Sequence, residues 1–218
     1  MARLPRIVIP NIPHHVIQRG NRKQNVFFSD EDKRIYLSLL KQFARKAGLT
    51  FWAYCLMDNH VHFIVVPDRP ESLAKGFGEA HRRYTRMIHF REDWRGYLWQ
   101  GRFNSFPLDE SHLYAAVRYV EQNPVRASLV TKAEHYLFSS AKAHVLKKPD
   151  DLCSDFFLLR EIHDWATYLA TPLSQKELAL FRRHGKTGRP AGDKNFTLKL
   201  EQLTGRSLSK RKPGPKPN

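Results

Sequence analysis

Apolar residues follow two different periods along this chain, and the two periods alternate. Short alternating or β-rich runs predict four strands: residues 15–19, 49–57, 61–66 and 98–108. Spacing of three and four predicts three helices: residues 30–47, 72–88 and 111–123. The order β-α-β-β-α-β-α predicts an α+β fold of the ferredoxin or RRM-like type, an antiparallel sheet with helices packed on one face.

Local signals mark where these elements begin and end. Ser29 can cap the first helix, and Gly48 can end it. Asp58-Asn59 is a good turn between two strands. Ser111 is the predicted cap of the third helix, which should stop near Pro124. The boundaries are therefore predicted independently of the apolar faces.

Charge is distributed unevenly and divides the chain into three parts. The 218 residues include 37 Lys and Arg against 21 Asp and Glu, a net charge of +16. Residues 1–150, which hold the predicted fold, carry +10, residues 151–181 carry −3, and residues 182–218 carry +9. We predict a catalytic main domain over residues 1–150, a helical connector over residues 151–181 and a basic, partly disordered C-terminal extension over residues 182–218 that binds DNA.

The composition limits the cellular compartment and the binding partners that fit this sequence. No apolar run approaches the roughly 20 residues that span a bilayer, and the first residues lack a signal-peptide core. Cys55 and Cys153 are too few for a disulfide framework. These features predict a soluble, cytoplasmic protein. The excess of positive charge favours nucleic acid over an anionic membrane as partner, because no basic amphipathic helix stands out.

His60 and His62 are separated by a single residue on a predicted strand. Alternate side chains of a strand share a face, so the two imidazoles point the same way, about 7 Å apart. Neutral imidazole is a common metal ligand, and the pair is a candidate for one cation. The alternative is two polar residues on a half-exposed strand, which a third ligand nearby would disfavour.

The helix predicted at residues 111–123 carries a second candidate group. At about 100° per residue, Tyr119 and Asn123 lie one turn apart on one flank, whereas Tyr114 and Glu121 lie on the opposite flank. A phenol and an amide oxygen can therefore face one site together. Side-chain packing for Tyr119 and a helix C-cap for Asn123 are the ordinary alternatives.

A tyrosine beside a metal site suits phosphodiester cleavage. The ordinary pKa of a phenol is about 10, so its attack needs a cation that polarises a phosphate oxygen. The product is a covalent phosphotyrosine, which keeps the energy of the broken bond available for rejoining. The residues therefore point to DNA cutting and joining.

Several short motifs, in this order, resemble those of the single-tyrosine HUH transposases. The blocks that match are RGNR at 19–22, MDNH at 57–60, HVH at 60–62, WQGRF at 99–103 and YVEQNPVRA at 119–127. The resemblance covers about residues 3–145. Residues 184–217 resemble the tail of the branch associated with repetitive extragenic palindromes (REP).

This resemblance implies a bacterial, metal-dependent endonuclease and strand transferase that acts on hairpin-forming single-stranded DNA through a covalent 5′-phosphotyrosine. It assigns the nucleophile to Tyr119, in a monomer or homodimer. The ligands that it assigns to Mg²⁺ or Mn²⁺ are His60, His62 and Asn123. The chain departs from the family at Glu121, where relatives often carry histidine, and at Asp58, where proline is frequent. Glu121 brings a carboxylate to the tyrosine helix.

Basic residues on the second helix form the predicted DNA-binding face. They are Lys75, Arg82, Arg83 and Arg86. Together with the neighbouring Tyr84, they can hold phosphates and stack unpaired bases. Arg102 in the WQGRF block and Arg189, in a GRP motif that resembles a minor-groove arm, are further candidates. A solvated surface charge is the alternative for each single arginine.

Two other functions stay open from the sequence. A non-catalytic nucleic-acid-binding regulator on the same fold would keep the charge without needing the intact set of His60, His62 and Tyr119. A zinc hydrolase would use the two histidines with a carboxylate, although no obvious third acidic ligand lies near the pair. Covalent trapping of DNA distinguishes the first alternative, and metal preference distinguishes the second.

Overall fold

The protein, described by a computed structural model over residues 6–209, is built on a four-stranded antiparallel sheet. Its strands are β1 (His14–Arg19), β2 (Leu49–Met57), β3 (His60–Pro67) and β4 (Asn104–Pro107). They lie in the order β2-β3-β1-β4, and every neighbouring pair is antiparallel. The helices α1 (Asp30–Ala47) and α2 (Ser72–Arg91) connect them. The predicted α+β, ferredoxin-like fold is confirmed.

The boundaries of α1 follow from its local sequence. The Ser29 hydroxyl accepts a hydrogen bond from the Asp32 amide, and the Asp32 carboxylate accepts one from the Ser29 amide, which completes a capping box. Gly48 ends the helix with φ of +66°, a left-handed conformation that suits glycine. The buried face includes Tyr36 and Leu40. These predictions are confirmed.

The predicted strand over residues 98–108 is wrong over its first half. Only four residues form β4, because Gly101 adopts φ of +65° and turns the backbone. The predicted cap of the next helix is also wrong. In α3 (Glu110–Glu121), the Asp109 carboxylate accepts from the His112 amide, and Ser111 lies inside the helix.

The tyrosine helix ends as predicted, close to its proline. Pro124 has no amide hydrogen to continue the backbone hydrogen bonds of α3, so the helix ends at Glu121. A separate short helix, α4 (Asn123–Arg126), follows at once. Asn123 therefore begins a new helix rather than capping the old one.

Helices cover both faces of the sheet. Helices α1 and α2 pack on the face that carries Val61, Phe63 and Val65. Helix α3 packs on the face that carries His62 and Ile64. The sequence placed helices on one face only, and this detail is corrected. The middle strands β1 and β3 carry buried side chains on both faces, so both faces need cover.

Within the described residues, five more α-helices follow α4, the first of them inside the predicted main domain. They are α5 (Ala141–Leu146), α6 (Leu158–Glu161), α7 (Trp165–Ala170), α8 (Gln175–Thr187) and α9 (Lys194–Thr204). The segment between 151 and 181 contains α6, α7 and the first half of α8. Helix α8, however, runs through the boundary drawn between residues 181 and 182, which is therefore not a structural one.

The C-terminal extension packs on the main domain as far as residue 209. Ala191 pairs with Leu108 beside β4. In α9, Leu200 is fully buried against Ile7 and Ile9 of the N-terminal segment. Residues 1–5 of the predicted domain and residues 210–218 of the predicted tail lie outside the described residues.

The structure also shows the state of the two cysteines and whether any described helix could cross a membrane. Cys55 is buried, Cys153 is half-buried, and both are free thiols. Between residues 6 and 209, no helix has the length and apolar character needed to cross a membrane.

Glu121 is fully buried and fastens α3 to the helices that follow. Its carboxylate accepts hydrogen bonds from the Trp165 indole at 2.8 Å and from the Ser140 hydroxyl. It also pairs with Nδ1 of His144 at 2.7 Å. Burial lowers the pKa of His144, but the carboxylate more than offsets this, and the net pKa is raised. Glu121 thus anchors the tyrosine helix, and its partners are not the predicted metal ligands.

Replacing Glu121 by glutamine should lower the free energy of unfolding by about 3 kcal/mol, because it breaks a buried ion pair. The raised pKa of His144 means that the pair contributes fully below the ordinary value of 6.5 and less as the pH rises through the folded-state value. Urea unfolding should therefore show a larger loss at about pH 6 than at about pH 9. Lys142→Gln, exposed on α5, is the control. A larger loss at the higher pH would contradict this assignment.

Docking of α9 can be tested with two leucines of the same helix. Leu200→Ala should lower the free energy of unfolding by about 3 kcal/mol, because it leaves a cavity against the N-terminal segment. Leu203, which is 62% exposed, is the matched control, and Leu203→Ala should change stability by less than about 0.5 kcal/mol. Equal effects in denaturant unfolding would mean that α9 does not dock as described.

Candidate active site

The structure brings the two predicted histidines and the predicted tyrosine together on the α3 face of the sheet. His60 and His62 lie at the start of β3, with their ring centroids 5.0 Å apart and their planes nearly perpendicular. The ring of Tyr119 lies 5.6 Å from that of His62. The arrangement follows from two periodicities: β3 puts both imidazoles on one face, and the buried stripe of α3 turns Tyr119 toward them.

Each histidine engages its Nδ1 with a neighbour. Nδ1 of His60 donates to Oδ1 of Asn59 at 2.6 Å, and Nδ1 of His62 shares a hydrogen bond with Nε2 of His15 at 2.9 Å. Metal-binding histidines usually engage one ring nitrogen with a neighbour in this way and bind the cation with the other. Asn123 is buried at the start of α4, and its side chain contacts His60. Two imidazole nitrogens and an amide oxygen fit a divalent ion.

Burial keeps the two imidazoles neutral. Desolvation, aided by Arg19 and Arg126, lowers the pKa of His60 to about 4. Desolvation, with the neighbouring imidazoles and the same arginines, holds the pKa of His62 well below its ordinary value. Neutral imidazole is the form that binds metal, so no proton has to leave first.

A carboxylate is missing from this donor set. Within residues 6–209, no three or more His, Cys, Asp or Glu side chains are grouped so that they could hold a metal ion. The zinc-hydrolase alternative needs a carboxylate beside the two histidines, and the described part of the chain does not provide it. The predicted set of His60, His62 and Asn123 is unaffected, since its third member is an amide.

His15 is a residue of the site that the sequence analysis did not identify. It is fully buried on β1, with its ring 5.1 Å from that of His62 and 5.7 Å from that of Tyr119. Its Nδ1 has no hydrogen-bond partner in the described structure. The sequence signal is weak: His15 shares a strand face with Ile17, and only the pairing of Ile17 with His62 reveals that they meet.

Two arginines that lie within the matching motifs also border the site. The guanidinium carbon of Arg126, on α4, lies 4.2 Å from the centroid of the Tyr119 ring. Arg19 ends β1 directly opposite His60 in the sheet. Both belong to the blocks that carried the resemblance, but neither was given a role from the sequence. Positive charge therefore lies beside the predicted metal ligands.

Tyr114 lies on the other flank of α3, as predicted. Its hydroxyl donates to the carboxylate of Glu161, and this bond raises the pKa of Tyr114 to about 12. Its neighbours are Glu161, Phe157 and the connector, and the predicted metal ligands are not among them. Tyr119 is the better placed of the two tyrosines.

Helix α8 contributes a wall to the site. The ring of Phe181, on α8, lies 5.0 Å from that of Tyr119 and 6.1 Å from that of His15. Phe181 is itself buried. The sequence assigned this residue to the connector, and its distance of more than sixty positions from Tyr119 hid the contact.

The basic residues predicted on α2 lie on the opposite side of the sheet from the histidines. Lys75, Arg82 and Arg83 each pair with a glutamate one turn earlier, at 3.4, 2.6 and 2.9 Å. Arg86 is exposed. The structure does not bring these residues to Tyr119, and their part in DNA binding stays a prediction for a surface away from the point of cleavage.

The aromatic partner predicted for that surface is corrected. Tyr84 is fully buried and donates to the Val26 carbonyl at 2.6 Å, so it cannot stack on a base. It faces inward because it belongs to the apolar stripe of α2. Phe90, which is 90% exposed, shares a groove with Arg86 and is available for stacking instead.

The last two predicted DNA contacts lie in loops. Arg102 is exposed in the turn before β4, next to Gly101. Arg189 follows α8 and is half-buried, and its carbonyl accepts from His184 at 2.8 Å. It lines a cavity of about 650 Å³ together with Arg183 and Lys194. The GRP segment is therefore folded rather than a loose arm, and a DNA contact at Arg189 stays a prediction.

Comparison with known proteins gives one family and one fold. Residues 8–123 match the model of the IS200-like transposases. A REP-associated tyrosine transposase, solved bound to a REP hairpin, is similar over 72% of this chain and 93% of its own, with 16% identity and a TM-score of 0.55. A candidate transposase of Deinococcus radiodurans R1 is 21% identical over 56% of this chain and 97% of its own, with a TM-score of 0.39. No curated protein matches.

The predicted metal site can be tested by binding as well as by cleavage. Replacing both His60 and His62 by alanine should abolish Mn²⁺ binding in a calorimetric titration, because two of the three predicted ligands are gone, while hairpin binding stays near normal. Each single variant should lose cleavage. His163→Ala, which removes an exposed histidine outside the site, is the control. Undiminished Mn²⁺ affinity in the double variant would place the metal elsewhere.

Proposed function

This chain belongs to the IS200-like transposase family, and from that premise we propose that it cuts and rejoins single-stranded, hairpin-forming DNA through Tyr119. The observation that carries the proposal is the meeting of His60, His62 and Tyr119 on one face of the sheet. Packing alone does not require a tyrosine here to lie beside two neutral imidazoles. A metal-assisted tyrosine nucleophile needs such neutral ligands next to it.

The reaction is an exchange of one phosphate ester for another. The Tyr119 oxygen bonds to the phosphorus, the bond to the 3′ oxygen breaks, the phenol proton passes to water, and the 3′ oxygen takes up a proton. The product is a 5′-phosphotyrosine and a free 3′ hydroxyl. Because the number of ester bonds is unchanged, attack by a 3′ hydroxyl on the phosphotyrosine reverses the step and joins strands.

The residues around Tyr119 have separate tasks in this step. A Mg²⁺ or Mn²⁺ ion held by His60, His62 and Asn123 would polarise a phosphate oxygen when bound. Asn59 and His15 hold the two imidazoles in their orientation through hydrogen bonds to the Nδ1 atoms. The rings of His15 and Phe181 pack on Tyr119 and fix the direction of its hydroxyl.

The substrate class rests on charge and on the similar structure. A net charge of +16 suits a polyanion. The similar REP-associated transposase was solved with a REP hairpin, and we propose a hairpin of this kind as the substrate here. Phe90 and Arg86 on α2 offer a stacking ring beside a positive charge for unpaired bases.

Tyr119→Phe should eliminate the covalent DNA adduct while fold and hairpin binding survive, because only a hydroxyl is lost. The matched control is Tyr114→Phe, which should still form the adduct. The measurement is a denaturing gel of each variant with a labelled single-stranded hairpin and Mg²⁺ or Mn²⁺.

The same gel separates the alternatives. Loss of the adduct only in Tyr114→Phe would move the chemistry to the other flank of α3. A wild-type protein that binds the hairpin but forms no adduct under these conditions would be a non-catalytic regulator, and the proposed function would be wrong.

A further inference from the structure

Arg126 is a positive charge enclosed next to the candidate nucleophile. Its guanidinium lies over the ring of Tyr119, and Nη1 is buried without a hydrogen-bond partner in the described structure. Desolvation lowers the pKa of Arg126, against the opposing effects of Tyr119 and Cys55. The side chain therefore occupies a place that is unfavourable for its charge.

Carboxylates do not compensate this charge in the part of the chain that the structure describes. The arginines that have an ion pair there, such as Arg91 with Asp32 and Arg118 with Glu177, hold an acidic partner within hydrogen-bonding distance. Arg126 has none in residues 6–209, and its charge disfavours protonation of His15, His60 and His62. A half-buried guanidinium that hydrogen-bonds Tyr119 but has no carboxylate partner is costly, so an anion is expected to complete the site.

The position of Arg126 indicates which anion this is. Arg126 is the last residue of α4. The first residue of the same helix, Asn123, contacts His60. One short helix thus presents an amide toward the histidines and a guanidinium toward Tyr119. The phosphate that Tyr119 attacks is the anion common to both.

We propose that Arg126 is a catalytic residue of this reaction, and that its guanidinium binds a non-bridging oxygen of the phosphate attacked by Tyr119. This inference rests on the proposed function. Negative charge grows on the non-bridging oxygens as the fifth oxygen approaches phosphorus, and a preformed donor stabilises that charge without reorganising. The rigid guanidinium of arginine also holds its donors in a fixed direction, which the flexible ammonium of lysine cannot match.

The first experiment measures the rate of adduct formation with a labelled hairpin. Arg126→Gln should be slower by about 100-fold or more, and Arg126→Lys should lie between it and the wild type. The control is Arg182→Gln, which removes an exposed charge near Arg126 and should change the rate by less than about fivefold. Because a half-buried charge without a carboxylate partner is removed, the melting temperature of Arg126→Gln should be equal to or above that of the wild type.

The second experiment uses the two stereoisomers of a methylphosphonate at the scissile position, each of which replaces one non-bridging oxygen by a methyl group. Both isomers should slow the wild type. One of them should slow Arg126→Gln far less than the wild type, because the missing oxygen is the one that Arg126 binds. If Arg126 had a merely structural role, each isomer would slow Arg126→Gln by the same factor as it slows the wild type, so that the effects of variant and substrate on the rate would multiply.

The outcomes separate this inference from the function beneath it. Two results would overturn the role of Arg126 and leave the proposed function standing, provided that the wild type forms the adduct. One is that each isomer slows Arg126→Gln as much as it slows the wild type. The other is that Arg126→Gln forms the adduct at the wild-type rate. If Arg126→Gln melts at a lower temperature than the wild type and the effects of variant and isomer on the rate multiply, the role of Arg126 is in packing. Absence of any wild-type adduct with the unmodified hairpin would overturn the proposed function and this inference together.

Discussion

The antiparallel pairing of β1 with β3 is the interaction on which the site depends. In this register Ile17 lies opposite His62 and Arg19 lies opposite His60, so all four side chains share one face of the sheet. A slip of one residue would turn the histidines toward α1 and put Val61 under α3. Both faces are covered by helices, and the apolar pattern of each face therefore holds the register in place.

The parts of the fold that were predictable are those with local causes. Helix α1 was placed to the residue, because Ser29 and Gly48 act on their own neighbours. The N-cap of α3 was missed by two residues, because Asp109 and Ser111 are both good caps and only the backbone decides between them. The length of β4 depended on the turn at Gly101, whose positive φ the sequence does not announce.

The candidate site divides in the same way. Spacing along one strand and one helix, together with the motif resemblance, sufficed to single out His60, His62 and Tyr119. His15 and Phe181 join them through strand pairing and through the docking of α8, contacts between positions far apart in sequence. No periodicity encodes such contacts. They are also the contacts that give the site its low polarity and fixed geometry, which local motifs alone would not supply.

The wall formed by Phe181 has a consequence for how this protein is made. Ribosomes produce the strands, both histidines and Tyr119 well before α8, and earlier parts of a chain generally begin to fold during synthesis. Until α8 emerges and docks, the tyrosine ring lacks one of its packing partners and the sheet lacks part of its cover. The candidate pocket is thus complete only after α8 has been synthesised and has docked, and a nascent chain without α8 carries the two histidines and the tyrosine without their final alignment.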